Sequence, residues 1–153
     1  MASQAHEGQT CPGTSIPYIA HPSRVAMLVA AEFHCTDPEI IAAAYLHDVF
    51  EKTSLSREAV ALTMGANATA WVEWLSKTSP DEKEAYWERL AQAPWQARLI
   101  KMADALDHLH GPAEYHEARL KSARKALALA TSDEAEIKRA ARVLEDAIHH
   151  GSH

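Results

Sequence analysis

Apolar residues recur along this chain at helical spacing, and no Gly-flanked segment alternates with the two-residue period of a strand. In the stretch 95–109, Trp95, Leu99, Met102, Leu106 and Leu109 fall close to i, i+4, i+7. Start and stop signals divide the rest. Asp37-Pro38-Glu39 reads as an N-cap, a proline at the first helical position and an acid in the first turn. Ser79 and Glu82 have capping-box spacing, as do Thr131 and Glu134. Pro94 opens a segment that Gly111-Pro112 closes. These signals predict helices over 22–34, 38–51, 56–63, 66–77, 80–92, 95–109, 113–130 and 133–149. Pro12, Gly13 and Pro17 make 9–20 a loop, with a short helix able to precede it. The expected fold class is all-α, a compact multi-helix bundle around one core.

With 153 residues the chain has the size of one domain, read as 1–148 with a tail at 149–153. That tail, with His149, His150 and His153, reads as frayed or as an added remnant and is set aside. An apolar share of 47% and a charged share of 24% suit a globular chain rather than a disordered one. The two C-terminal helices, rich in Ala, Lys, Arg and Glu, read as a solvated packing layer, with a homo-oligomer contact as the alternative. Trp71, Trp74, Trp87 and Trp95 read as packing residues, the first two sharing a face at i, i+3.

A net charge of −6 argues against a nucleic-acid polymer as partner, yet leaves room for a local basic pocket that takes a small anion. The longest apolar runs, Val25–Ala31 and Ile40–Leu46, are seven residues each. A membrane span needs about 20, so no membrane partner is expected. The N-terminus lacks a secretory pattern. Cys11 and Cys35 form no CxxC motif, which suits a reducing cytoplasm.

The chemistry gathers around His47-Asp48, placed by the pattern inside the helix that starts at Pro38. An aspartate straight after an apolar run is costly to bury without a partner. Neighbours on a helix point about 100° apart, but both can converge on an ion lying between them. Imidazole and carboxylate suit a divalent transition metal. His21 lies at the start of the preceding helix, and Asp104 sits mid-helix in Ile100-Lys101-Met102-Ala103-Asp104-Ala105-Leu106. A carboxylate there needs a counter-charge. His21, His47, Asp48 and Asp104 thus make a two-imidazole, two-carboxylate set from three helices, with coordination positions left for water and substrate. Glu51, four residues after His47, shares that helix face and could move a proton, or be a solvated glutamate. Lys101 and His108 lie one turn either side of Asp104, and either face the same pocket or form a surface ladder.

These residues resemble the HD superfamily of metal-dependent phosphohydrolases, whose mark is H…HD…D. The resemblance is nearest to the hydrolase domain of RelA/SpoT-type alarmone enzymes and the small stand-alone alarmone hydrolases. It is carried by Ala5-His6-Glu7-Gly8-Gln9-Thr10, by Tyr18-Ile19-Ala20-His21-Pro22-Ser23-Arg24, by Leu46-His47-Asp48-Val49-Phe50-Glu51-Lys52-Thr53 and by Leu99-Ile100-Lys101-Met102-Ala103-Asp104. Together they run over roughly two thirds of the chain, from residue 5 to about 110. The resemblance implies an all-helical fold and one divalent ion, usually manganese, on His21, His47, Asp48 and Asp104. It further implies hydrolysis of the 3′-pyrophosphate of a hyperphosphorylated guanosine nucleotide, with Glu51 at the position of the catalytic glutamate. Iron, cobalt, nickel and zinc also suit these donors.

Several positions depart from the family. Lys52 stands where an aspartate follows the catalytic glutamate, Cys11 where an arginine stacks on guanine, Ala105 for an arginine and His108 for a nucleoside-contacting asparagine. The metal set is intact while the alarmone-reading positions are changed. The cations Arg24, Lys52 and Lys101 suit a phosphate ester or anhydride. The expected catalytic residues are Asp48, Glu51 and Lys52, with Arg24, Lys101 and His108 binding a small phosphorylated substrate of nucleotide type. The alternatives are a broad-specificity phosphomonoesterase, phosphodiesterase or nucleotidase on the same scaffold, a non-catalytic metal- and nucleotide-binding protein, and a plain helical interaction module.

Overall fold

A computed structural model of the chain describes residues 1–80 and 82–150. Helices form every regular element among them, and Thr10 and Pro17 make an isolated antiparallel bridge that closes a hairpin-like loop. In chain order the helices are α1 (Ala2–Ala5), α2 (Ala20–Met27), α3 (Pro38–Leu46), α4 (Val49–Lys52), α5 (Arg57–Leu75), α6 (Lys83–Ala91), α7 (Trp95–His108), α8 (His116–Leu127) and α9 (Ala135–His150). No helix among the described residues is long and apolar enough to cross a membrane.

The helix starts follow local chemistry. At α3, Asp37 Oδ1 accepts from the Glu39 backbone N–H (2.9 Å) ahead of Pro38, as the Asp-Pro-Glu signal predicts. Ser56 caps α5 through Ala59 N–H (3.1 Å). Gly65, at φ +85°, breaks α5 into the two segments that the sequence predicts as 56–63 and 66–77.

The predicted capping boxes form differently. Glu82 lies just before α6, and its Oε2 accepts from Thr78 Oγ1 (2.5 Å), so that helix starts at Lys83 rather than 80. Thr131 Oγ1 is taken by Arg98 Nη1 (3.0 Å), and Ser132 Oγ donates to Glu134 Oε1 (2.9 Å), which delays α9 to Ala135. Two other predicted helices change pitch. Segment 22–34 passes from α2 into a π-helical turn at Leu28–Glu32, and 113–130 opens as a 3₁₀ turn at Ala113–Tyr115. Of the expected tail, His149 and His150 continue α9, while 151–153 lie outside the described residues.

The central element is α7, which packs against α2, α3, α5, α6, α8 and α9. It is buried on nearly every side: Leu99, Ile100, Met102 and Ala103 are fully enclosed, beyond the single stripe the sequence suggests. Around it pack Val25, Val29 and Phe33 from α2 and its extension, Ile40 and Leu46 from α3, and Val60 and Val72 from α5. On the other side, α9 presents Ile137, Ala140, Leu144 and Ile148, spaced along one face. The buried Arg98 ties the start of α7 to the α8–α9 connection. It donates to the carbonyls of Ala93 (3.0 Å) and Leu129 (2.8 Å) and to the hydroxyls of Thr131 and Ser132. A buried guanidinium is tolerable when its donors are satisfied in this way.

Candidate active site

One predicted helix divides where the chemistry sits. The sequence predicts 38–51 as continuous, but α3 ends at Leu46 and α4 begins at Val49. Asp48 adopts φ −103°, ψ −1°, between the two helices. His47 N–H bonds the Ala44 carbonyl three residues back, at 3.4 Å. Across this junction His47 Nε2 lies 3.1 Å from Asp48 Oδ2. Glu51 lines the same recess as His47 across that junction. It lies on α4, exposed, and its Oε1 accepts from the Lys77 backbone N–H (2.5 Å).

Three elements bring His21, His47, Asp48 and Asp104 together. His21 Nε2 is 3.0 Å from Asp104 Oδ1 and 3.6 Å from Asp48 Oδ2, and His47 Nε2 is 3.4 Å from Asp104 Oδ1. His21 Nε2, His47 Nε2 and Asp104 Oδ1 are all buried and have no hydrogen-bond partner. Buried polar atoms are normally paired, so three orphans meeting at one point are the mark of a missing shared partner. Donor atoms of His21, His47 and Asp48 lie within 4.8 Å of one another, as do those of His21, Asp104 and His108. Two neutral imidazoles with carboxylates form a suitable donor set for a divalent ion.

The far side of each donor is also held. His21 Nδ1 is 2.7 Å from Asp107 Oδ2, and Arg24 donates to both oxygens of that carboxylate (2.7 and 3.1 Å). His47 Nδ1 lies 2.8 Å from the Ala44 carbonyl. With Nδ1–H donated outward, each Nε2 keeps its lone pair for the cluster. Lys101 Nζ donates to Asp104 Oδ2 (2.8 Å) and lies over the rings of Tyr86 and Trp87. Tyr18 OH donates to Asp48 Oδ2 (2.5 Å).

Electrostatics follow from this packing. Burial alone would raise the Asp104 pKa, but Lys101 and the neighbouring imidazoles hold it well below the usual carboxylate range. Burial is likewise outweighed at Asp48, chiefly by His47, and at Asp107 by His21 and Arg24, so both are lowered. Burial would lower His47 and His21, yet carboxylates raise both, Asp48 and Asp104 acting on the first, Asp104 and Asp107 on the second. His108 goes the other way: burial lowers it to about 4, despite Asp104. Burial and Asp48 push the Tyr18 phenol upward.

Two cavities open on the cluster. A recess of about 90 Å³ is lined by His47, Asp48, Glu51, Lys77, Lys101 and Asp104. A larger cavity of about 820 Å³ runs from His21 and His108 past Cys11, Ile16 and Met27 to Arg119. Tyr18, Lys52 and His108 line both. Lys52 Nζ lies over the Tyr18 ring, 5.5 Å from its centroid. The five further residues singled out by the sequence thus separate. Glu51, Lys52 and His108 line the cavities; Arg24 pairs with Asp107 and also lines the large cavity, Lys101 pairs with Asp104 and also lines the recess, and Asp48, expected in both roles, lies within the donor cluster.

Sequence reasoning passed over Asp107, Tyr18 and Arg119. Spacing could have marked Asp107, which follows Asp104 at i+3 on the same face of α7. Arg119 Nη1 is buried without a partner in the wall of the large cavity, and a Cβ at Gly111 would lie 1.6 Å from it. No local signal marks that pairing.

A family model described as HD domain matches residues 1–145. The chain belongs to the HD domain family. Among curated relatives, this HD domain is 36% identical over 97 residues to guanosine-3′,5′-bis(diphosphate) 3′-pyrophosphohydrolase MESH1 of Homo sapiens, a match covering 61% of this chain and 54% of that one. The bifunctional (p)ppGpp synthase/hydrolase SpoT of Escherichia coli is 37% identical over 114 residues, covering 68% of this chain and 16% of that protein. The chain spans about half the length of the MESH1 relatives it matches. A solved structure described as a metazoan ortholog of SpoT that hydrolyses ppGpp superposes with a TM-score of 0.79 at 24% identity, over 95% of this chain and 89% of that one. That likeness establishes the fold of this HD domain.

Proposed function

We propose that this HD domain is a metal-dependent phosphohydrolase whose substrate is a guanosine nucleotide carrying a 3′-pyrophosphate, the ppGpp class, with pyrophosphate as the product released. The observation that carries the reading is the meeting of three unpartnered buried atoms, His21 Nε2, His47 Nε2 and Asp104 Oδ1, beside Asp48. The names of the MESH1 and SpoT relatives support the substrate class.

His21, His47, Asp48 and Asp104 would hold one divalent ion, manganese in the first instance. Such an ion, when bound, lowers the pKa of a bound water and polarises a phosphoryl oxygen. Asp107 and the Ala44 carbonyl fix the imidazole tautomers. Asp48, steadied by Tyr18, orients the attacking water. Glu51 faces the recess with Oε1 occupied by Lys77 N–H, leaving Oε2 to take or return a proton. Lys52, at the wall shared by both cavities, offsets the charge that develops on phosphate oxygens. The larger cavity would take the nucleoside.

One observation favours a less selective nucleotidase as the second reading. Arg24 already pairs with Asp107, and Pro12, Ile16, Met27, Leu28 and Ala31 make much of the nearby cavity wall apolar.

Stripping the protein with chelator, restoring manganese and assaying ppGpp beside simple nucleotides and aryl phosphate mono- and diesters tests these readings. Pyrophosphate released from ppGpp alone supports the first. Turnover of the simple esters supports the second. Ion binding without turnover of any substrate would leave a binding protein and end the hydrolase reading.

A further inference from the structure

His108 follows Asp104 by four residues on α7, so the two side chains share a face. His108 Nδ1 lies 3.4 Å from Asp104 Oδ1, the same distance at which His47 Nε2 lies from that oxygen. The contact is not a hydrogen bond, because Asp104 Oδ1 has no such partner. The His108 ring stacks on His21, with centroids 4.4 Å apart and planes 16° apart. One donor atom each from His21, Asp104 and His108 fits within 4.8 Å. A pair of ligating side chains one turn apart on a helix is a proven way to chelate an ion, because the backbone fixes their separation.

We propose that His108 is a fifth protein donor to the ion held by His21, His47, Asp48 and Asp104. The set becomes three imidazoles and two carboxylates. Two consequences follow. A third nitrogen strengthens the site's preference for cobalt, nickel or zinc over manganese, since imidazole suits the later divalent ions and affinity rises along the first-row order. It also takes one position that water or substrate would otherwise occupy. The proposal rests on the ion-binding part of the preceding reading and not on the nucleotide.

The test uses chelator-stripped full chain, wild type and His108→Asn, titrated with Co²⁺ and with Mn²⁺. Calorimetry reads affinity and stoichiometry, and visible absorption reads the cobalt ligand field. His108→Gln serves as a second variant, and circular dichroism of the ion-free proteins checks the fold. Wild type is expected to bind one cobalt ion per chain. The variants are expected to lose about 10–100-fold in cobalt affinity, the range seen even when an outer hydrogen-bond partner of a ligand is removed. Their cobalt spectrum should change, and manganese affinity should fall less. Unchanged cobalt affinity and spectrum in folded variants would overturn the fifth donor alone. Two ions per wild-type chain would also overturn it, since His108 would then serve a separate centre. If wild type binds neither ion, the ion reading fails and this inference falls with it.

Discussion

His21 Nδ1 and Asp107 Oδ2 lie 2.7 Å apart, and the same carboxylate takes two donors from Arg24. The imidazole is thus gripped from behind, with Nε2 aimed at the donor cluster. Asp107→Ala is expected to weaken divalent-ion affinity by about 10–100-fold. Arg24→Ala is expected to show the same phenotype more mildly, because its guanidinium orients Asp107. In both variants calorimetric ion affinity should change more than KM at saturating ion. An Arg24→Ala variant with normal ion affinity and a raised KM would instead make Arg24 a substrate contact.

On the proposed reading, protons and metal compete for His21 and His47. Burial lowers their pKa values, but the surrounding carboxylates win and both are raised in the ion-free fold. A raised pKa contributes stability that is complete below the unfolded value, about 6.5, and is lost as pH climbs through the folded value. Asp104 and Asp107 are lowered, so their contribution persists above the unfolded carboxylate range and is lost only in acid. Ion binding has the opposite dependence on the imidazoles, which must be neutral to ligate. From about pH 6 to 8, the histidine contribution to stability of the stripped protein should therefore decline, while the rise in Tm on adding ion should grow. Paired thermal melts with chelator and with metal measure both. An ion-induced shift that stayed constant across that range would count against histidine ligation.

Glu51→Gln keeps an oxygen for the Lys77 N–H and removes the carboxylate proposed to exchange a proton. Turnover should fall by about 10²–10⁴, the usual share of general acid–base catalysis. Ion affinity and Tm should stay near wild type. Retained turnover would remove Glu51 from the mechanism.

Gly111 lacks the Cβ that would meet Arg119 Nη1 at 1.6 Å. Gly111→Ala should therefore displace the guanidinium from the large cavity, and Arg119→Ala should reproduce its effect. KM for a phosphorylated substrate is expected to rise by about tenfold or more in each, the worth of one charge-assisted hydrogen bond of about 1.5–3 kcal/mol. kcat and ion affinity should change little. If Gly111→Ala raises KM and Arg119→Ala does not, the arginine is not a substrate contact.

Much of the fold is written in local signals. Asp37-Pro38 starts α3 where the sequence says, and Gly65 stops the first half of α5, because capping and positive φ are short-range demands. The division at His47-Asp48 is not legible, since neither glycine nor proline marks it. Thr131 is lost as a cap because Arg98, far away in sequence, claims its hydroxyl. In the site, the convergence of His21, His47, Asp48 and Asp104 could be anticipated from residue types and spacing. The pairing of Arg24 with Asp107 and of Lys101 with Asp104 could not, because the burial of those carboxylates emerges only on packing. Arg119 against Gly111 is a fit between surfaces, and no periodicity encodes it.

The junction between α3 and α4 sets a limit on improving this protein by design. A redesign that maximised helix propensity from Pro38 to Lys52 would favour one continuous helix and disturb the 3.1 Å approach of the Asp48 carboxylate to His47. Such a variant should melt higher and bind metal worse, so screening for thermostability alone would select against the fault in the helix that makes the site.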